Sequence, residues 1–206
     1  MAPKLIRLLL SICNDLKFSK QILRGVIPSK FSQFGYFATA NSDYTAINDC
    51  IKFIPKNAKS FIDIGCGKGR VLAAVNAQVP WLEKIIGIEI DPDVANETSI
   101  RLARFSKITV VTDDIFKSDM PIVDIYYLFN PFDSSCWQKF IDKLGKSLII
   151  HNKHATIIYY NCKYLSDGST DLFEVKYYPP ESSLFLGKHP VAILKFFPNS
   201  QNSQPF

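Results

Sequence analysis

Phe61-Ile62-Asp63-Ile64-Gly65-Cys66-Gly67-Lys68-Gly69-Arg70, with Glu89 closing the next apolar run, governs how the rest of the chain is read. An apolar run of strand type breaks into three glycines at alternate positions. Where a strand turns sharply into a helix and a ligand touches its backbone, side chains would block both. An acidic residue one strand later suits the paired hydroxyls of a ribose. The stretch reads as the floor of a nucleotide-type cofactor site.

Working outward, strand and helix patterns alternate. Asp43 is placed to cap a helix running through Ile47, Ile51 and Phe53 to Pro55. Strand one covers 60–65, and a helix opens after Gly69 and ends at Pro80. Residues 84–90 form a mostly apolar run, typical of a strand buried on both faces. Asp91-Pro92 begins a helix reaching about Phe105, with proline in its favoured first turn. Strands at 108–111 and 123–129, a helix from Asp133 to Gly145 and a strand at 156–160 follow. Helices and strands thus alternate four times over, which specifies an open parallel sheet with helices on both sides. Residues 172–178 and 191–197 are two strands without an intervening helix, an antiparallel hairpin added to the sheet. The tail from Pro198 is polar and expected to fray.

The 206 residues suffice for one well-filled core, and 47% hydrophobic with 21% charged residues is ordinary for a soluble globular protein. The organisation expected is an N-terminal basic helix and aromatic loop (1–44), a cofactor-binding domain (45–198) and a tail (199–206). Residues 1–30 hold Lys4, Arg7, Lys17, Lys20, Arg24 and Lys30 against Asp15 alone, so this arm carries the whole chain's net +5. The neutral remainder argues against a broadly basic nucleic-acid-binding body.

Leu5, Leu9, Ile12 and Leu16 at helical spacing predict a helix from about Leu5 to Leu23. Its apolar run is too short to span a bilayer and lacks a secretory cleavage site. The arm is read as a helix packed on the domain and shielding its pocket; a membrane-surface or substrate-docking helix is the alternative. Cys13, Cys50, Cys66, Cys136 and Cys162 are scattered like reduced intracellular thiols, and a cytoplasmic location is expected. His151 and His154 lack a third ligand, so no metal is expected.

The glycine spacing Gly65-x-Gly67-x-Gly69 departs from the G-x-G-x-x-G of dinucleotide enzymes, disfavouring a nicotinamide oxidoreductase, and it lacks the Lys-Ser/Thr of a phosphate-binding P-loop. The chain resembles class I S-adenosylmethionine-dependent methyltransferases over 60 to about 197. Asp63-Ile64-Gly65-Cys66-Gly67-Lys68-Gly69 is similar to that family's first motif, whose glycine turn packs against the methionine part of the cofactor. Gly87-Ile88-Glu89-Ile90-Asp91 resembles the second, with Glu89 on the ribose, and Glu89 lies twenty positions after Gly69, near the interval such folds use. Val111-Thr112-Asp113-Asp114-Ile115 resembles the third, where Asp114 would accept from the adenine amino group and the Ile115 backbone would meet the ring.

The resemblance implies a Rossmann-like α/β doubly wound seven-stranded sheet, mostly parallel, with S-adenosyl-L-methionine as cofactor. It also implies transfer of a methyl group to an acceptor. Asn130-Pro131-Phe132 at the end of strand four resembles, one proline short, the signature of methyltransferases acting on an amide or exocyclic amine nitrogen. Asn130 is the candidate catalytic residue and also faces the cofactor, with Pro131, Phe132 and Asn161 on the substrate side. The alternative for Asn130-Pro131 is an ordinary strand-ending turn. Tyr36 and Tyr44 are lid candidates, and Tyr160-Asn161 a candidate pocket wall. Methyl transfer to an acceptor nitrogen, a protein side chain among the candidates, is the leading reading. The alternatives are a catalytically inactive cofactor-binding protein, or a methyltransferase of nucleic acid or small molecules.

Overall fold

A computed structural model describes residues 2–168, 170–182 and 187–198, with side chains from residue 8 onward. Helices α1 (Ala2–Ser19) and α2 (Tyr44–Ile51) precede the alternating core. This core runs β1 (Ser60–Ile64), α3 (Arg70–Gln78), β2 (Lys84–Glu89), α4 (Pro92–Leu102), β3 (Ile108–Thr112), β4 (Ile125–Phe129), α5 (Ser134–Ile150), β5 (Ala155–Tyr160), β6 (Phe173–Tyr178) and β7 (Val191–Phe196). The seven strands form one sheet in the order β3-β2-β1-β4-β5-β7-β6, with only β7 antiparallel to its neighbours. The seven-stranded α/β sheet with a terminal antiparallel hairpin is therefore present. From β1 the chain winds outward through β2 and β3, then returns to add β4 and β5 on the other side. That reversal opens a crevice at the carboxyl ends of β1 and β4, the place where open α/β sheets bind ligands.

Alternation along the strands builds two cores. Ile62, Ile64, Ile88, Tyr126, Leu128 and Ile157 face Trp137, Phe140, Leu144 and Leu148 of α5. Phe61, Ile85, Ile125, Tyr127 and Ile158 face Ile47 of α2 with Leu72 and Val75 of α3. Because successive strand residues point to opposite faces, continuous apolar runs are what a sheet covered on both sides needs.

Several boundaries differ from expectation for identifiable reasons. Helix α1 ends at Ser19, where the Ser19 hydroxyl donates to the Asp15 carbonyl and Lys20 adopts φ 59°. Helix α2 stops at Ile51, and 3₁₀-type turns carry the chain on to Ile54. Helix α5 runs past Gly145 to Ile150: a Cβ at Gly145 would lie 2.9 Å from Leu172 Cδ1, so this glycine admits a neighbour and is not a stop. Strands β3 and β4 are joined by a loop, breaking the expected rhythm. Asp113 and Asp114 spend their carboxylates on the loop's own backbone, at Asp114 N and Phe116 N, which competes with helix formation. The tail 199–206 lies outside the described residues.

The arm is docked on the domain by one buried cluster. Asp15, fully buried, accepts from Arg70 Nε (2.9 Å) and Nη2 (2.8 Å), Tyr44 Oη (2.8 Å) and the Leu23 amide (3.0 Å). Arg70 is the first residue of α3 and also donates to the carbonyls of Leu23 (2.7 Å) and Ser42 (3.1 Å). A buried charge without such partners would be expelled or neutralised, so the pair and its hydrogen bonds stand or fall together. Lys68 Nζ adds bonds to the carbonyls of Arg24 and Gly25. Lys30 pairs with Asp91 and Asp93. Of the arm's cations Lys30 is thus paired with the domain, whereas Lys17, Lys20 and Arg24 are exposed, and the side chains of Lys4 and Arg7 lie outside the described residues.

Candidate functional site

A cavity of about 410 Å3 lies at the carboxyl ends of the central strands. Its walls include Ile64 and Gly65 after β1, Glu89 and Ile90 after β2, Asp113 and Ile115 after β3, Phe129 to Phe132 after β4, and Asn161 after β5. The segment from Tyr36 to Ala40 crosses it as a strap. Of the expected site residues, Gly65, Glu89, Ile115, Asn130, Pro131, Phe132 and Asn161 line this space; Asp63, Gly67, Gly69 and Asp114 do not.

Glu89 is the best-prepared ligand group. Its Oε2 accepts the Gly67 amide at 2.9 Å and its Oε1 the Asp91 amide at 3.0 Å, and only 5% of the residue is exposed. The carboxylate keeps acceptor capacity for a donor in the cavity. Burial pushes its carboxyl above the ordinary glutamate range, against the pull of these backbone amides. Asp63 is raised too, well above the usual aspartate value, by burial first and then by the charge of Glu89.

The glycines divide their labour. Gly65 has φ 75° and lines the cavity, and a Cβ there would sit 3.0 Å from Pro131 Cβ. Gly67 lies under the strap, where an added Cβ would meet Thr39 Cγ2 at 2.6 Å. Gly69, with φ 73°, faces α4, where Leu102 and Thr98 would be within 2.8 Å of a Cβ. Its requirement is helix packing and not ligand contact. Cys66 is buried and its thiol raised well above the usual value by burial and then by Asp63 and Glu89, which makes it an inert filler.

After β3 the two acids part company. Asp113 lines the cavity, while Asp114 Oδ1 accepts the Tyr36 hydroxyl at 2.5 Å and the Phe116 amide at 3.0 Å. Lys143 of α5 reaches across to clip this loop, donating to the carbonyls of Ile115 (3.0 Å), Phe116 (3.3 Å) and Ser118. A three-donor ammonium suits three carbonyls, but no local pattern marked Lys143 in the sequence.

The strap is sewn to the β4 turn. Phe37 N donates to Pro131 O (3.0 Å) and Asp133 N to Gly35 O (2.8 Å), while Thr39 pairs with Ile27. Tyr36 packs edge-on against Phe132. Phe37, Ala38, Thr39 and Ala40 thereby become pocket residues, which sequence reading missed; the aromatic loop before α2 was their one signal. Tyr44, the other lid candidate, points away into the Asp15–Arg70 cluster.

Asn130 stands in the left-handed region at φ 42° and Asn161 at φ 54°, one after each of two neighbouring strands. Asparagine tolerates this conformation better than most residues, which is the turn role foreseen as the alternative. The Asn130 side chain also enters the site: its Oδ1 accepts the Tyr159 hydroxyl at 3.0 Å. Pro131 O and Asn130 Oδ1 therefore each keep one lone pair for a further donor. Tyr160 is buried in the other core, where its hydroxyl donates to Asp43 Oδ2 at 2.7 Å and its ring stacks on Phe129.

His151 Nδ1 lies 2.8 Å from the Ser147 carbonyl, and His154 packs against Phe197. Among the described residues no group of three or more His, Cys, Asp or Glu is placed to hold a metal, and no helix is long and apolar enough to cross a membrane.

No protein-family model matches the sequence, and no curated protein matches it. Solved structures do. An RNA methyltransferase from Salinibacter ruber, in complex with S-adenosyl-L-homocysteine, superposes at TM-score 0.58 with 13% identity, over 80% of this chain and 98% of that one. The methyltransferase domain of a bacterial Hen1 gives 0.56 with 15% identity over 73% and 96%. An S-adenosylmethionine-dependent O-methyltransferase from Thermotoga maritima gives 0.56 with 18% identity over 77% and 67%. At these identities the shared property is the fold, which is the Rossmann-like fold of class I methyltransferases.

Proposed function

We propose that the chain is an S-adenosylmethionine-dependent methyltransferase that uses the cavity beneath the strap. The observation that carries this reading is Glu89, a carboxylate fixed by two backbone amides at the end of β2 with acceptor capacity left toward the cavity. A ribose offers two adjacent hydroxyls to such a group. Ile90 and Ile115 supply apolar walls for a purine, with Asp113 beside them, and Gly65 lets a ligand approach the backbone. The fold shared with structures that include a complex with S-adenosyl-L-homocysteine supports the same cofactor.

When bound, the cofactor supplies an electrophilic methyl group on a sulfonium. The protein's task is then alignment and exclusion of water, for which no covalent nucleophile is required. Asn130 Oδ1 and Pro131 O, each with one lone pair remaining, are placed to accept hydrogen bonds from an acceptor N–H and so orient its lone pair. The strap, through Phe37 and Thr39, covers one side of the cavity. We therefore favour nitrogen as the acceptor atom, in a protein side chain or another amine, with Phe132 and Asn161 beside it.

Incubating a cell extract with methyl-labelled cofactor and the protein, then digesting with protease or nuclease, identifies the acceptor class. Wild type is expected to label a macromolecular or small-molecule fraction, and Asn130→Ala to lose at least about tenfold of that transfer, the worth of one or two positioning hydrogen bonds. Undiminished transfer by Asn130→Ala would remove the orienting role, and no transfer by wild type would favour a binding protein.

A further inference from the structure

Helix α1 has two unlike faces. Asp15 and Ser19, one turn apart, are buried against the domain, whereas Leu9, Cys13, Leu16 and Lys17 stand exposed on the other side. Beyond the helix Ile22, Arg24 and Val26 are exposed as well. Leu9, Leu10, Leu16, Ile22 and Val26 are each 46–64% exposed, all in one short segment. Single exposed aliphatic side chains are ordinary, but a cluster of them marks a surface that binds something.

The charge on this surface has one sign. Asp15 is the sole acid of residues 1–30, and it is fully buried against Arg70, so the arm presents no carboxylate outward. Lys17, Lys20 and Arg24 are exposed, and none of them forms an ion pair among the described residues. Helix α4 brings two more cations to the arm: Arg104 donates to the Ser19 carbonyl and Arg101 to Gln21 Oε1 at 2.6 Å. Between them Ile100 is 70% exposed, and Glu97, one turn before Arg101, is the acid that faces these cations.

We propose that this face docks on an anionic lipid bilayer, with α1 and the segment to Val26 lying along the headgroup layer. The aliphatic side chains enter the boundary of the acyl region, and Lys17, Lys20 and Arg24 meet lipid phosphates. Charge and apolarity together select this occupant. A second copy of the chain would set the same cations against one another across the contact. A nucleic acid would satisfy the cations and leave the leucines, isoleucine and valine in water, since its bases stack on aromatic rings. A bilayer with negative headgroups satisfies both. The proposal does not depend on which ligand the cavity holds.

The test is co-sedimentation of the full chain with vesicles of phosphatidylcholine alone, or with about a third phosphatidylglycerol. Wild type should partition onto the anionic vesicles at least about tenfold more strongly than onto the neutral ones. The difference should shrink as salt rises from about 0.1 to about 1 M, where the Debye length falls from about 10 to about 3 Å. The triple variant Lys17→Gln, Lys20→Gln, Arg24→Gln should lose roughly fivefold for each cation on anionic vesicles. Leu9→Gln with Leu16→Gln should lose at least about tenfold on the same vesicles, glutamine being a helix former that cannot enter the acyl boundary. An unchanged melting temperature shows that each variant is folded, and if the leucine variant melts lower the cation variant decides alone. Wild type that stays off anionic vesicles at low salt overturns the proposal, as does partitioning that a folded variant retains in full. A dimer in analytical ultracentrifugation that the leucine variant disperses would make the occupant a second copy. Binding of polyuridylate in place of vesicles would make it a nucleic acid, and either result overturns the bilayer.

Discussion

Replacing Asp15 by alanine should undock the N-terminal arm and lower stability. The carboxylate is fully buried and Arg70 is 8% exposed, so the variant leaves a guanidinium with its Nε and one Nη2 bond lost in a dry site. Tyr44 Oη and the Leu23 amide lose their acceptor as well. Breaking a buried pair from one side typically costs about 3–5 kcal/mol. For a chain of this length about 2–4 °C of melting temperature goes with each kcal/mol, giving a fall of about 6–20 °C by circular dichroism. Asp15→Leu with Arg70→Met removes both charges together and should recover a good part of the loss, since apolar replacement of a buried pair is often near neutral. Recovery should be incomplete, because the Ser42 and Leu23 carbonyls lose the Arg70 donors. Because Leu23 and Ser42 flank the strap, the single variant should also weaken S-adenosylhomocysteine binding. A melting temperature within about 2 °C of wild type for Asp15→Ala would refute the docked arm.

Two further outcomes follow from the site. Glu89 is raised by burial, so the folded chain holds its proton at pH values where the unfolded chain has released it. Ionisation of Glu89 thus opposes folding, and its contribution to stability is largest at low pH and lost as pH rises through the folded value. Ligand binding runs the other way: by calorimetry, S-adenosylhomocysteine affinity should fall as pH drops through that raised value and the carboxylate takes up its proton. Affinity that stays flat down to the pH at which the protein unfolds would detach Glu89 from the ligand. Gly69→Ala, at φ 73° and against Leu102, should destabilise by at least about 1–2 kcal/mol with S-adenosylhomocysteine affinity unchanged, whereas Gly65→Ala should lower affinity as well. A larger affinity loss at Gly69 would reverse the division of labour between the two.

The parts of the fold and site visible in sequence are those set by local pattern. Apolar runs and the glycine turn place β1, β2 and Glu89 because each needs only its own neighbours. What stayed hidden depends on contacts between distant positions. Asp15 looked like the arm's lone acid and Arg70 like the residue after a glycine loop, yet fifty-five positions apart they form its buried anchor. The resemblance pointed to Asp114 as the adenine group; the structure turns Asp113 into the cavity because Tyr36, seventy-eight positions away, engages Asp114. Gly145 looked like a helix stop because glycine there answers to Leu172 and not to its own helix. Lys143 and Thr39 act through backbone carbonyls and van der Waals contact, which leave no spacing rule to read.

Titration calorimetry of wild type and Glu89→Ala with S-adenosylhomocysteine asks whether Glu89 holds the ribose in the cavity under the strap. One ligand per wild-type chain is expected, with at least about a tenfold loss of affinity in a variant that still melts cooperatively, as for losing hydrogen bonds to a charged acceptor. Equal affinity in the two proteins, or no binding to wild type, would contradict it.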